Sequence, residues 1–232
     1  MVRSPGPDRI RRHWDRQSVG YDRKMDRAER MFGDTRDWVC RQAVGQVLEV
    51  AVGTGLNLDR YPAHATLTAM DLSPAMLDRA RRHAAELGRA VDLRVGDAQR
   101  LEFDDASFDT VVCTFGLCAV PDDGGAVDEM VRVLRPGGLL LLADHVVSTS
   151  ASLRVLQAVA EVYSVRFQSE HFRRRPLLHV EAAGLTVERH DRFNRGIIER
   201  LAARKPVTPP SDPPARGPSR RRTPPASAGA GP

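Results

Sequence analysis

The sequence contains only three cysteines, Cys40, Cys113 and Cys118, and none of them belongs to a CxxC pair. An odd, widely spaced set argues against a disulfide framework and is typical of a reducing compartment. No apolar run approaches the ~20 residues of a transmembrane helix, and residues 1–10 lack the apolar stretch of a signal peptide. We therefore expect a soluble, cytoplasmic protein that is a monomer or a homodimer.

Lysine is nearly absent, because Lys24 and Lys205 are the two lysines among 35 basic residues and the other 33 are arginines. The net charge of +5 is concentrated at one end. Residues 204–232 hold six basic residues against Asp212 alone, so the rest of the chain sums to about zero. We therefore expect no nucleic-acid partner. The same segment is rich in proline and arginine, which predicts a disordered tail; a peripheral membrane contact through its arginines stays open.

A glycine loop follows the first long apolar run. Val47–Val52 has the length and β-branched content of a buried strand, and Leu56–Tyr61 is typical of a short helix. Gly53-Thr54-Gly55 lies between them. A loop that leads from a strand into a helix offers free backbone N–H groups to an anionic group of a ligand. Glycine is favoured there because a Cβ would keep the ligand away from the backbone.

Two kinds of nucleotide site are compatible with such a loop. The dinucleotide-binding fingerprint requires a third glycine three residues after Gly55, where this chain has Leu58. The pattern present is acidic-x-small-x-Gly-x-Gly, from Glu49 through Ala51 and Gly53 to Gly55. A plain glycine turn without a ligand remains the alternative.

Strand and helix patterns alternate along the chain, which favours βαβ units and a parallel sheet. We predict an α/β fold, a Rossmann-like three-layer α/β/α sandwich with a mostly parallel seven-stranded sheet and an antiparallel closing hairpin. The predicted strands are 47–52, 65–70, 91–95, 108–113, 139–143, 185–192 and 197–203. The predicted helices are 37–44, 74–87, 125–134, 153–165 and 176–183, after a polar, helix-permissive segment at 9–36.

Two acids stand out at strand positions. Asp71 closes the second strand sixteen residues after Gly55, where a carboxylate can accept hydrogen bonds from both hydroxyls of a ribose; it is equally suited to a turn or a helix cap. Glu49 lies inside an apolar strand, where burial raises the pKa of a carboxyl unless a cation or hydrogen bonds compensate. Backbone amides are the alternative partners for Glu49.

Four motifs in this order resemble the class I S-adenosylmethionine (SAM)-dependent methyltransferases. They are Glu49–Gly55, Asp71, the stretch Cys113–Pro121 and the connection Arg132–Gly138. The combination is similar to the UbiE-like branch (methyltransferase type 11), and closest to bacterial phosphatidylethanolamine N-methyltransferases and thiol S-methyltransferases. The resemblance implies SAM as the cofactor and divides the chain into a helical cap (1–36), a SAM-binding domain (37–203) and the tail (204–232).

The resemblance also implies roles for individual residues. The ammonium group of SAM would compensate Glu49, and Asp97 would contact the adenine amino group beside the Ala98 amide. The implied cofactor-binding residues are Glu49, Ala51, Gly53, Thr54, Gly55, Asn57, Asp71, Leu72, Met76, Asp97, Ala98, Cys113, Thr114 and Phe115. The substrate-side candidates are Tyr21, Leu117, His171 and Arg173. Asp144 or His145, after the fifth strand, is a candidate base, with a structural histidine as the alternative.

We expect methyl transfer to the nitrogen, sulfur or oxygen of a small-molecule or lipid-like acceptor, with a phosphatidylethanolamine-type amine or a thiol favoured. A non-catalytic SAM-binding protein and a Rossmann NAD(P)-dependent oxidoreductase are the alternatives. No metal is expected, because Cys113 and Cys118 lack a nearby histidine in sequence and are better interpreted as buried small hydrophobes. The three arginines after His171 suit a phosphate or carboxylate, or a solvated face.

Overall fold

Seven strands form one sheet within the parts of the chain that the structure, a computed structural model, describes: residues 6–167 and 170–207. They are β1 (Gln46–Val50), β2 (Thr66–Asp71), β3 (Val91–Val95), β4 (Phe108–Thr114), β5 (Leu134–His145), β6 (Thr186–Phe193) and β7 (Ile198–Arg204). Their order is β3-β2-β1-β4-β5-β7-β6. Neighbouring pairs among β1 to β5 are parallel, whereas β7 is antiparallel to both β5 and β6. The predicted fold class is confirmed.

Helices cover both faces of the sheet. They are α1 (Pro7–Gln17), α2 (Tyr21–Phe32), α3 (Thr35–Cys40), α4 (Pro74–Glu86), α5 (Asp123–Val133), α6 (Ala151–Phe167) and α7 (Pro176–Ala182). One apolar core holds side chains of α3 and α4, and a second holds side chains of α5 and α7. None of these helices is long and apolar enough to cross a membrane.

The apolar run of β5 is explained by burial on both faces. Leu140 and Leu142 belong to the core under α5, whereas Leu139 and Leu141 belong to the core under α3 and α4. Successive side chains of a strand point to opposite faces, so a strand covered on both sides is apolar throughout. Because β1 to β5 are parallel, their carboxyl ends lie at one edge of the sheet, and the polar residues of the predicted site lie at this edge.

The helix predicted for Leu56–Tyr61 is wrong, because this segment is a series of turns. Its backbone bonds join residues three apart, from Leu58 N to Gly55 O and from Arg60 N to Asn57 O. The Asn57 side chain turns inward to Glu49 instead of facing solvent. No helix N-terminus is therefore available at the glycine loop. Helix α3 also lies earlier than the predicted 37–44.

The folded part extends beyond residue 203. Arg204 pairs with Leu139 within the sheet, and the Lys205 ammonium donates to the carbonyls of Val131 and Leu134. The predicted tail therefore starts at least two residues later than expected. Its remainder, residues 208–232, lies outside the described residues, and the predicted division into a cap, a domain and a tail stays a prediction.

Candidate cofactor and acceptor site

A cavity opens at the carboxyl edge of the sheet, where β1, β2 and β4 end and α1 passes over them. Polar and apolar walls face each other across it, which suits a nucleoside with a charged tail. The predicted residues that line the cavity are Tyr21, Ala51, Gly53, Thr54, Asp71, Leu72, Met76, Asp97, Ala98, Thr114 and Phe115. The structure thus brings most of the predicted cofactor residues together.

Nine predicted site residues are absent from the cavity wall: Glu49, Gly55, Asn57, Cys113, Leu117, Asp144, His145, His171 and Arg173. Glu49 and Asn57 lie beneath the wall in one hydrogen-bond network. Gly55 is needed for the loop itself, because its φ is +87° and a Cβ would lie 2.8 Å from the Leu58 side chain. The roles predicted for all nine in binding or catalysis stay predictions.

The loop Ala51–Gly53 has a left-handed backbone at both ends. Gly53 has a φ of +58°, and a Cβ built on it would meet no protein atom within 4 Å, so its missing side chain leaves room for a ligand. Ala51 also has a positive φ, +59°. Alanine at this position is strained, because a left-handed backbone costs a non-glycine residue about 1–2 kcal/mol.

Asp71 holds this loop in place. Its Oδ2 accepts a hydrogen bond from Gly53 N (2.9 Å), and its Oδ1 accepts one from Ser73 N (2.9 Å). Burial raises the pKa of this carboxyl to about 6, although the two backbone amides oppose the shift. Each carboxylate oxygen keeps a second lone pair that a ligand hydroxyl can use. Asp71 is thus both a loop anchor and a ligand candidate.

Asp97 and the apolar wall form the far end of the cavity. Asp97 Oδ1 accepts bonds from the backbone and side-chain nitrogens of Gln99 (2.9 and 3.0 Å), so a short turn fixes its carboxylate. Leu72, Met76 and Ala98 line the same cavity. An apolar slot that ends in a fixed acceptor suits a flat heterocycle carrying an amino group.

Glu49 is buried, 2% exposed, and only partly satisfied. Its Oε1 accepts a 2.6 Å hydrogen bond from Asn57 Nδ2, whereas its Oε2 has no hydrogen-bond partner among the described residues. Burial raises the pKa of this carboxyl to about 7, against the opposing effects of Asn57, Tyr61 and Arg36. A buried carboxyl with a free oxygen beside a cavity is suited to a cationic ligand group.

Arg36 is a cavity residue that sequence reasoning missed. It is 5% exposed, and its Nη1 donates to Asn57 Oδ1 (2.9 Å) and Thr114 Oγ1 (3.3 Å). Its guanidinium also lies 5.1 Å from the centre of the Phe115 ring. Nothing in the sequence distinguishes it from the other 32 arginines, because its burial follows from the packing of α3 against the sheet.

The N-terminal helices form a wall of the cavity. Ile10 and Trp14 of α1 line it together with Tyr21 of α2. Asp15 fastens α1 to the start of α4, because its Oδ1 accepts bonds from Ser73 Oγ (2.6 Å) and Ala75 N (3.3 Å). Tyr21 therefore lies in the cavity wall, and its predicted substrate-side role stays a prediction.

We expect Asp15→Ala to weaken SAM binding by roughly tenfold, because losing hydrogen bonds to a charged group costs about 1.5–3 kcal/mol and frees α1 to move off the cavity. Calorimetric titration with SAM measures the change. Asp8→Ala, which alters an exposed acid of the same helix, is the matched control and is expected to bind normally. Equal affinities for both variants would contradict a role for α1 in holding the ligand.

An aromatic cluster packs next to a buried carboxylate at the end of β5, a region here called the acceptor side because the predicted base residues Asp144 and His145 lie there. The rings of Phe32, Phe115 and His145 pack together, with 4.1 Å between the two phenylalanine centroids and 5.2 Å from Phe115 to His145. Asp144 is 2% exposed and accepts backbone bonds from Cys118 N (2.9 Å) and His145 N (2.6 Å). Its Oδ1 lies 3.7 Å from His145 Nδ1.

A histidine lies near Cys118 in space, although none is near it in sequence. Possible ligand atoms of Cys118, Asp144 and His145 lie within 4.8 Å of one another, because the fold brings the end of β5 beside the turn after β4. Both Asp144 oxygens are already engaged by backbone amides. Burial and Asp144 raise the pKa of the Cys118 thiol, which keeps it protonated.

Glu170 lies directly before the predicted substrate-side residue His171. Burial and Asp144 raise the pKa of its carboxyl, whereas the positive charges of Lys24 and His145 lower it, so the carboxyl lies in the field of the acceptor side. The adjacent His171 donates its backbone N–H to Cys118 O (2.7 Å). Arg173 is paired with Glu161 (3.0 Å) and lines no part of the cavity.

The residues present fit SAM. The gap at Gly53, the free oxygen of Glu49 and the Asp71 carboxylate occupy one edge of the sheet, as a nucleoside with an amino-acid tail requires. The three predicted acids, Glu49, Asp71 and Asp97, therefore lie on the same side of the protein, around one cavity. Asp71 and Asp97 face the cavity, and Glu49 reaches it through Asn57, Arg36 and Thr114.

Comparison with known proteins gives consistent results. The family described as "Methyltransferase domain" matches residues 48–142. A phosphatidylethanolamine N-methyltransferase of Cereibacter sphaeroides is 45% identical over 103 residues, 44% of this chain and 51% of that protein, so the match spans about half of the relative. A demethylmenaquinone methyltransferase of Mycolicibacterium gilvum is 32% identical over 209 residues, 82% of this chain and 86% of that protein.

Solved structures share the fold at low identity. A SAM-dependent methyltransferase of Thermotoga maritima, described as a possible histamine N-methyltransferase, is 20% identical with a TM-score of 0.61, over 84% of this chain and 99% of that one. A putative methyltransferase of Bacillus halodurans is 21% identical with a TM-score of 0.62, over 75% and 97%.

Proposed function

Because this chain belongs to the family of SAM-dependent methyltransferases, we propose that it transfers the methyl group of SAM to the amine nitrogen of an ethanolamine-type lipid head group. The observation that carries the choice of an amine is the charge of the acceptor side. Asp144 places a buried carboxyl 3.7 Å from His145, next to the cavity residue Phe115. Carboxylates attract an ethanolammonium group, whereas they give no comparable advantage to a neutral thiol or quinone.

The match to a phosphatidylethanolamine N-methyltransferase supports the same acceptor class. In this proposal Asp71 binds the ribose hydroxyls, and Asp97 with the Ala98 amide receives the adenine. Glu49 compensates the ammonium group of the amino-acid tail, and Arg36 binds its carboxylate. Each pairing joins a ligand group to a side chain of opposite charge or matching hydrogen-bond type.

SAM supplies an already activated methyl group, so the protein contributes mainly position and a route for one proton. Holding the amine in line with the methyl carbon can supply about 7–11 kcal/mol of the barrier through proximity. His145 accepts the proton that the amine must lose, and Asp144, 3.7 Å from its Nδ1, stabilises the imidazolium. Phe32 and Phe115 pack against the His145 ring and hold it beside the cavity residue Phe115.

The test is methylation of phosphatidylethanolamine vesicles with SAM that carries a deuterated methyl group, followed by mass spectrometry of the lipid. We expect N-methylated product from the full chain. His145→Gln is expected to lower kcat by about 100-fold while the Kd for SAM stays unchanged, because His145 does not line the cofactor cavity.

His64→Gln, a change at an exposed histidine far from the site, is the matched control and should leave kcat unaltered. Small thiols and demethylmenaquinone form the other arms of the assay. Label on a thiol or on the quinone ring, with none on the lipid amine, would contradict the proposed acceptor while leaving the family assignment intact. SAM binding without turnover in any arm would favour a non-catalytic binding protein.

A further inference from the structure

Helix α6 presents apolar side chains to solvent. Val155, Leu156, Val159 and Val162 are 68%, 62%, 68% and 64% exposed. Positions i, i+1, i+4 and i+7 lie on one side of a helix, so these side chains form one continuous apolar surface, here called the α6 face. Single exposed apolar residues need no explanation, but a contiguous patch of this kind marks an interaction site.

The opposite side of α6 faces the protein and combines polar residues with the buried Val165. Gln157 donates to Val146 O (2.9 Å) and Phe172 O (3.2 Å), and its Oε1 accepts from Ser148 N (2.8 Å). Ser164 is 2% exposed. An ordinary surface helix has the reverse arrangement, with its apolar side inward. The hydrogen bonds of Gln157 fix this orientation, so the outward direction of the α6 face is a consequence of specific contacts.

The α6 face lies at the same edge of the sheet as the candidate site. Val146, which accepts the bond from Gln157, directly follows His145 at the end of β5. The segment after α6 is tied to the acceptor side by the bond from His171 N to Cys118 O. Helix α6 is therefore anchored beside the end of β5, and an object seated on its outer face lies about one helix diameter, ~10 Å, from that point.

The charge around the α6 face is positive. Arg154 is exposed on α6 itself, and Arg173, which is bound to Glu161 of the same helix, is exposed too. Glu161 is the one acidic residue in the α6 sequence, and it turns inward to bind Arg173 (3.0 Å). An apolar strip bordered by arginines is complementary to a bilayer with anionic lipids. A second copy of this chain on the same face would instead bring arginines of both copies together.

We propose that the α6 face docks on an anionic lipid bilayer and presents the acceptor side of the cavity to the lipid head groups. The inference rests on the proposed function in naming the membrane, because a lipid amine has to be taken from a bilayer. It assigns a function to a helix that takes no part in holding the cofactor.

Vesicle sedimentation of the full chain, without SAM and without phosphatidylethanolamine, tests the docking separately from methylation. The probes are phosphatidylcholine vesicles with and without phosphatidylglycerol. We expect binding to the anionic vesicles. The triple change Leu156→Gln, Val159→Gln and Val162→Gln should reduce vesicle binding by about tenfold or more, since three aliphatic side chains that the bilayer would bury are lost.

Arg154→Gln should weaken binding to anionic vesicles and make the remaining binding less sensitive to salt, because one screened charge contact is lost. A double change at two other exposed apolar residues, Leu87→Gln and Val95→Gln, is the matched control and should bind like the unaltered chain. Thermal unfolding should give similar midpoints for all variants, because the replaced side chains are exposed.

Equal vesicle binding by the triple variant and the unaltered chain would overturn the proposal. So would a dimer, seen by light scattering, that the triple change dissociates, because the α6 face would then bind a second copy. Since no methyl transfer is measured, a failed docking result leaves the amine acceptor untouched. A failed methylation assay likewise leaves a positive docking result standing.

Discussion

Asp71→Ala is expected to weaken SAM binding by about 100-fold, with kcat/KM falling at least as far. The change removes the acceptors for Gly53 N and Ser73 N, which hold the loop over the cavity, together with those proposed for the ribose hydroxyls. Hydrogen bonds to a charged group contribute about 1.5–3 kcal/mol each, and 1.4 kcal/mol corresponds to tenfold in affinity. Calorimetric titration with SAM measures the effect.

Asp71→Asn separates the two parts of this role. The amide keeps one oxygen acceptor of the same size but loses the charge, so we expect a smaller loss of about tenfold. Asp78→Ala removes an exposed acid of α4 that pairs only with Arg81 on the surface and should bind SAM normally. If Asp71→Ala retains full affinity while it remains folded, the cavity does not bind a nucleoside through this carboxylate.

Glu49→Gln is expected to change how stability depends on pH. Burial raises the pKa of Glu49 to about 7 in the folded protein, from 4.5, so the folded state binds the proton more tightly than the unfolded state. Its contribution to stability is therefore present below about pH 4.5 and is lost as the pH rises towards 7. A difference of about 2.5 pKa units corresponds to roughly 3 kcal/mol. The variant avoids that loss because glutamine stays neutral.

Urea unfolding at pH 5 and pH 8 measures the effect without ligand. The variant should exceed the free energy of unfolding of the unaltered chain by about 1 kcal/mol at pH 5 and by up to roughly 3 kcal/mol at pH 8. Asp71, whose pKa is raised to about 6, gives both proteins a residual slope of the same sign. A variant that is less stable than the unaltered chain at pH 8 would show that the Glu49 carboxylate is already compensated in the free protein.

SAM binding should offset the loss of stability that ionised Glu49 causes in the free protein. A ligand ammonium favours the ionised carboxylate, so the affinity of the unaltered chain is expected to rise as the pH passes through about 7. The variant should bind more weakly, with little pH dependence in this range. The same buried acid that costs stability in the free protein would thus contribute to binding.

The sheet was predictable because its signals are local. The two-sided apolar run of β5, the Ser73-Pro74 start of α4 and the strand-ending acids are visible in sequence, and parallel strands bring their carboxyl ends together. Ten of the predicted cofactor residues line the cavity for this reason. SAM as the ligand was inferred from the resemblance to methyltransferases, because the periodicity of apolar residues indicates the fold and not the ligand.

The missed residues depend on contacts between distant segments. Arg36 is buried because α3 packs on the sheet beside Asn57, 21 positions later, and Thr114, 78 positions later. Glu170 and His145 approach each other only after the chain has returned past α6. The sequence predicts a helix at 56–61, where the structure has turns. In these turns Asn57 donates its side-chain amide to Glu49, and no local sequence pattern indicates this contact.

The central claim is that the cavity beside Gly53, Asp71 and Asp97 binds SAM. Calorimetric titration of the full chain with SAM tests it most directly, with NADH as the comparison ligand. One saturable site per chain for SAM, displaced by S-adenosylhomocysteine and lost in Asp71→Ala, is the predicted result. Saturable binding of NADH together with no heat from SAM would contradict the account.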